Sequence, residues 1–177
     1  MDFNHFLTSY MPNPNVGSKV HFQNMIEQSI LAEKLGYKKV SIPEHHLINL
    51  LMMPSPLQMA VKIASLTKNI SISTSVAVLP LHDMRTYAGE VATADILTDG
   101  RLILGVARGA FPWEMKRLGT PIEQSKEKFT ESLEVLQKLL SEEEVSFSGK
   151  YYNFEALTIM PGPITQPIPI MIAAMDP

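Results

Sequence analysis

Residues 70–79, ISISTSVAVL, carry β-branched side chains at five of ten positions and no glycine or proline, and Pro80 closes the run. Such a segment reads as a buried strand. Downstream, Asp83 is placed to cap a helix whose apolar positions are Tyr87, Val91, Ala94 and Leu97, with Gly100 to stop it. Upstream, the pair Ser55-Pro56 opens a helix through Leu57, Ala60, Val61 and Ala64 that ends near Asn69. The strand is therefore flanked by helices, and the alternation continues in both directions. Residues 3–8 and 38–42 read as the first two strands. Between them, a helix capped by Ser18 presents Phe22, Met25, Ile26, Ile30 and Leu35 and stops at Gly36. Residues 102–106 make a fourth strand, and residues 121–140 a long helix with Phe129, Leu133, Leu136 and Leu140 on one face. VSFSGKYYNF (145–154) reads as a hairpin around Gly149, and residues 170–173 as a fifth strand.

Short apolar strands alternating with helices imply an α/β fold with a parallel sheet covered by helices. Two architectures satisfy the pattern: a doubly wound open sheet, or a (β/α)8 TIM-type barrel. A whole barrel takes about 250 residues. A chain of 177 residues as a single domain then holds only about the first five strands, a partial barrel.

Fifteen basic against eighteen acidic residues, a net charge of −3 and the lack of any basic block argue against nucleic acid as a partner. Cysteine is absent, which removes disulfides and thiolate metal sites and suits the cytoplasm. The N-terminus lacks the pattern of a signal peptide, and no apolar run approaches the roughly 20 residues of a membrane span. A soluble cytoplasmic protein is expected.

In either architecture ligands bind beyond the carboxyl ends of the strands. Those ends read Thr8-Ser9-Tyr10, Glu44-His45-His46, Pro80-Leu81-His82, Arg108-Gly109 and Ala173-Ala174. No metal is expected at Glu44-His45-His46, because adjacent extended residues point to opposite faces and no third ligand of the usual kind is in view. An acid–base site fits better: one histidine facing a pocket, with Glu44 and the other histidine supporting it. Arg108, beside Gly109, suits a phosphate or carboxylate. Asp95 and Arg101 read as a structural pair or a helix end. Met52 and Met53 read as packing residues, with a place on the substrate side as the alternative.

Taken together, PEHH (43–46), VAVLPLHDM (76–84), DILTDGRLILGVARG (95–109), ESLEVLQKLL (131–140), FSGKYYNF (147–154) and QPIPIMIAA (166–174) resemble the bacterial luciferase-like flavin monooxygenases, over the N-terminal half of that family's usual length. The resemblance implies a (β/α)8 barrel that binds reduced FMN at the carboxyl ends of its strands and uses O2 to oxidise an aldehyde or another small organic substrate. His45 matches the catalytic histidine, with Glu44 and His46 its neighbours. Arg108 with Gly109 matches the contact to the FMN phosphate, and Glu114 an acidic position after the fourth strand. A non-prolyl cis peptide under the flavin falls at Ser75-Val76, and Val76, Ala77, Val78 and Leu79 form an apolar floor. Related families on the same fold use a deazaflavin in place of FMN. A flavin reductase and a second copy of the chain, covering the open sheet edges, are the protein partners to expect. After the fifth strand the family carries a Glu-Ser-type stretch, where this sequence has Ala174, Met175 and Asp176. That departure, with the short length, leaves an inert flavin-binding protein or a remnant without ligand as the alternative.

Overall fold

Neighbouring strands of the main sheet follow one another in chain order, and this settles the architecture. The computed structural model describes residues 1–174. Its elements are β1 (Asn4–Phe6), α1 (Ser18–Lys34), β2 (Lys39–Ile42), β3 (His45–Ile48), β4 (Leu51–Met53), α2 (Pro56–Ala64), β5 (Ser71–Thr74), β6 (Ala77–Val78), α3 (Met84–Leu97), β7 (Leu102–Ala107), α4 (Pro112–Arg117), α5 (Ile122–Ser141), β8 (Val145–Ser148), β9 (Asn153–Leu157) and β10 (Ile170–Ile172). The sheet runs β1-β2-β5-β7-β10, with β6 pairing to β7, and every pairing is parallel. A doubly wound sheet reverses its order at a switch point; this one does not. It is a partial (β/α) barrel, with β1 and β10 at its two ends.

The core explains why these segments became strands. Val40, Ile42, Ile72, Leu102, Leu104 and Val106 have no exposed surface and share one cluster with Ala60 and Ile63 of α2, Ala88 and Val91 of α3, and Leu136 of α5. Each such aliphatic side chain contributes about 1.5–3 kcal/mol by leaving water. Alternate positions on the strands point the other way. There Ser41 and Ser73 share a 2.7 Å hydrogen bond, and Asn4 donates to Ser41 at 2.9 Å. Gly105 is obligatory for close strand packing, because a Cβ there would run into the carbonyl oxygen of Thr74.

Several local expectations shift. The run 70–79 is not one strand: β5 ends at Thr74, the Ser75-Val76 peptide is cis, and β6 resumes at Ala77. Gly17, not Ser18, occupies the N-cap of α1. That helix buries His21, Met25, Ser29 and Ala32, while Leu35 is exposed and Phe22, Ile26 and Ile30 are half-buried. Phe22 and Ile26 still pack against the core beside Met25, so the contact face is the expected stripe widened to take in Ser29 and Ala32. Asp83 caps α3 as expected, accepting from the Arg85 N–H at 3.0 Å. Met52 and Met53 lie in β4, with Met53 buried in the core.

Buried or half-buried carboxylates anchor the loops. Glu33 accepts the N–H groups of Lys68, Asn69 and Ile70 at 2.7–3.0 Å, and Glu131 those of Lys150, Tyr151 and Tyr152 at 2.7–3.0 Å. Asp95 does not pair with Arg101. It accepts from Ile164 and Thr165, both at 2.8 Å, while Arg101 donates to Ala64, Thr67, Ile70 and Thr98. Among the described residues no helix is long and apolar enough to cross a membrane.

Candidate active site

Two segments, one after β2 and one running from β6 into the loop behind it, meet around one carboxylate. Glu44, 2% exposed, follows β2 through Pro43. Its Oε1 accepts the Nε2 groups of His46 and His82, both at 2.6 Å, and its Oε2 accepts the Val78 N–H at 2.8 Å. Burial alone would raise this carboxyl; the hydrogen bonds from His46 and His82, the charge of His82 and the Val78 N–H outweigh it and hold the group at about 2. Glu44 is therefore ionised at neutral pH, an acceptor for three donors. The same hydrogen bond raises the His46 imidazole above its ordinary value, against the effect of burial, with the charges of Glu44 and Glu114 adding to it. The His82 ring stacks on Tyr87, centroids 4.3 Å apart and planes at 25°.

Extended backbone places residues 44 and 46 on one side and residue 45 on the other. His45 faces away from this cluster, toward α4. Its Nδ1 has no hydrogen-bond partner and lies 3.9 Å from Glu114 Oε2. Its ring meets Phe111 edge-on, centroids 5.4 Å apart. Glu114, 3% exposed in the first turn of α4, also accepts the His46 backbone N–H. The carboxylate thus fixes the chain just beyond His45 while leaving the ring unpaired.

His45 opens onto a cavity of about 430 Å³, whose lining includes Glu44, Ser75, Val76, Val78, Ala107 and Arg108, together with Gly109, Phe111, Glu114, Lys126 and Phe129. The size falls in the ~300–1,000 Å³ range of cofactor and small-molecule sites. Arg108 is exposed, and its guanidinium makes no hydrogen bond among the described residues. Gly109 has φ +91°, and a Cβ there would sit 2.5 Å from Met115 Sδ and 3.0 Å from Val78 Cγ1. Ala173 and Ala174 line the cavity beside β10, whereas Met175 and Asp176 lie outside the described residues.

Of the residues singled out from the sequence, Glu44, His45, Ser75, Val76, Arg108, Gly109 and Glu114 share this cavity wall. His46 turns behind it to Glu44, and Ala77 is buried in the core. His82 stood on the polar rim of the sequence reading without a role, and the structure brings it to Glu44. The expectation that no third ligand-type group accompanies Glu44 and His46 is thereby overturned. Thr8-Ser9-Tyr10 does not join the cavity. Phe111 and α4 were not read from the sequence; the Phe111-Pro112 step before Trp113-Glu114 was the available signal.

A family model described as luciferase-like monooxygenase matches residues 1–177. The oxygenase component of the flavin-dependent trigonelline monooxygenase of Acinetobacter baylyi is 31% identical over 88% of this chain and 44% of its own length. An F420-dependent glucose-6-phosphate dehydrogenase of Amycolatopsis mediterranei is 30% identical over 88% of this chain and 48% of its own length. Among solved structures, the monooxygenase RslO1 of Streptomyces bottropensis superposes with a TM-score of 0.92, 26% identity, over 99% of this chain and 54% of that one. The chain spans about half the length of the curated relatives it matches.

Proposed function

The chain belongs to the luciferase-like monooxygenase family, and from that premise we propose that it contributes the flavin-binding wall and the acid–base histidine of an FMN-dependent monooxygenase acting on a small organic substrate. The observation that carries the reading is the cavity itself. It joins an apolar floor, an unpaired guanidinium at its rim and an imidazole whose Nδ1 has no partner. These residues fit a flavin. Val76, Val78 and Ala107 offer the ring a flat apolar face, Arg108 offers a phosphate a charge-assisted donor, and Gly109 lets the backbone approach.

Reduced flavin, when bound, supplies the electrons with which O2 is activated. The chain's own groups do the rest. The apolar walls exclude water. His45 holds or moves a proton at the reacting oxygen, with Glu114 behind Nδ1 to orient the ring and to take up its charge. Glu44, being ionised and saturated with donors, positions rather than protonates, and His46 acts through it.

FMN is favoured over a deazaflavin by the flavin-dependent relative; the F420-dependent relative keeps the deazaflavin as the alternative, since F420 is one. A separate flavin reductase fits a relative named as an oxygenase component. A second copy of the chain fits the exposed Phe3 beside β1, Phe6 within it and Met171 and Ile172 in β10, and a compact monomer in analytical ultracentrifugation would oppose that pairing. The cytoplasm is the compartment we infer.

The test is a calorimetric titration with FMN, oxidised and reduced, and with riboflavin. Micromolar FMN binding that weakens in Arg108→Ala supports the site; no saturation up to about 1 mM removes it. Aldehyde-dependent oxygen consumption with supplied reduced FMN then separates an enzyme from an inert flavin binder.

A further inference from the structure

We propose that Glu44, His46 and His82 form a binding site for one divalent transition-metal ion of the zinc class, ligated by Glu44 Oε1 and the two Nε2 atoms. The proposal is independent of the flavin reading. Three ligand-type atoms, all within 4.8 Å of one another, converge from two separate loops. Two imidazoles and one carboxylate are the donor set that borderline ions such as Zn(II) and Co(II) take, with a further position left for water. The side chains of His46 and His82 are 20% and 21% exposed, so that position has access to solvent, while the carboxylate is fully buried.

The local backbone favours the arrangement. Glu44 and His46 are two residues apart in extended chain and so share a face. His82 follows the turn after β6, where its ring is held flat against Tyr87. Glu44 Oε2 is engaged by the Val78 N–H, which fixes the carboxylate and presents Oε1 as a single ligand atom. Both Nδ1 atoms lack a protein partner among the described residues, so each ring can carry its proton there and offer Nε2 to an ion.

What the ion has to displace is visible as well. The two Nε2–Oε1 separations of 2.6 Å are hydrogen bonds. With bonds of about 2.0–2.2 Å at tetrahedral angles, the same atoms stand about 3.3 Å apart. Each histidine must withdraw by about 0.7 Å, a distance small side-chain rotations cover, and each Nε2–H proton moves to Nδ1. His45 lies on the opposite side of the chain and takes no part.

The experiment is a titration of the metal-stripped full chain with Zn(II) by calorimetry and with Co(II) by its visible absorption. The expected result is one ion per chain, with the d–d band of a four- or five-coordinate Co(II), and an affinity that falls at least about tenfold in Glu44→Gln and in His82→Gln. His45→Gln is expected to bind like the wild type. His82→Gln keeps an N–H donor for Glu44, so circular dichroism and thermal melting distinguish loss of the ligand from loss of the fold. No saturable binding up to about 1 mM would overturn the proposal. Binding that survives unchanged in both folded variants would overturn it equally, because the ion would then sit elsewhere.

Discussion

Replacing Glu44 by glutamine removes a charge that three donors share, and the loss has a defined pH signature. The carboxyl sits at about 2 in the fold against 4.5 as the ordinary value. At about 1.36 kcal/mol per pH unit, that difference is worth about 3 kcal/mol of folding free energy at neutral pH. A depressed folded value means the contribution is present in full above pH 4.5 and is lost as pH falls from there through about 2. His46 has the opposite sense. Its raised value gives stability that is complete below 6.5 and is lost as pH rises through the folded value. Both contributions need the same carboxylate, and a glutamine side chain in its place would neither ionise nor accept from all three donors.

The difference in stability between the wild type and Glu44→Gln is therefore a plateau. It should be about 3 kcal/mol between pH 4.5 and 6.5, fade toward pH 2 and decline again above the folded value of His46. Urea unfolding of both proteins at half-unit steps from pH 2 to 8, with equal slopes in urea, reads it directly. A difference that stays flat across the whole range, or one below about 1 kcal/mol at pH 5.5, would refute the reasoning, since Glu44 would then not be the charged centre of the cluster.

At Arg108→Ala, FMN affinity should fall about 10–100-fold while riboflavin affinity stays level, if the proposed site holds and only the phosphate meets the guanidinium. Equal losses for both ligands in calorimetry would place Arg108 elsewhere. His45→Gln should lower kcat by about 10²–10⁴-fold with flavin affinity and melting temperature nearly unchanged, checked by oxygen consumption with supplied reduced FMN. Gly105→Ala should cost about 1–3 kcal/mol and lower Tm by roughly 2–12 °C, because β7 would be pushed off Thr74. A melt within a degree of the wild type would show that the strands can part at no cost.

What the sequence made legible was whatever is written in periodicity. Strand and helix alternation follows from apolar spacing, and it placed the four longer helices and the six parallel strands, with β5 and β6 read as one. The polar rim followed from the strand ends. Contacts made by a few residues over long separations were not legible. Glu44 and His82 are 38 positions apart, and no local pattern ties them. Helix α4 has six residues, too few for a period to show. The cis peptide at Ser75-Val76 stands where the family resemblance put it, though the alternation of ISISTSVAVL does not encode it. The expected face of α1 holds at Met25, Phe22 and Ile26, but hydrophobicity marks what is apolar and so passed over Ser29 and Ala32, which are buried too.

The side-by-side histidines have a physical account in this geometry. In extended chain one of two adjacent side chains turns toward the core and the other toward the cavity. His46 takes the inner side, where its ring meets Glu44 and its backbone N–H meets Glu114. These bonds hold the chain on both sides of residue 45, since Glu44 is itself held by Val78 and His82. A ring so placed needs no bond of its own to stay in position. His45 leaves Nδ1 buried and unpartnered, 3.9 Å from Glu114, while its ring lines the cavity. Exchanging the two roles by a one-residue slip would turn the free imidazole toward the far side of the chain and the bonded one toward the cavity. The register of PEHH after β2 thus decides which histidine lines the cavity and which is bound to Glu44.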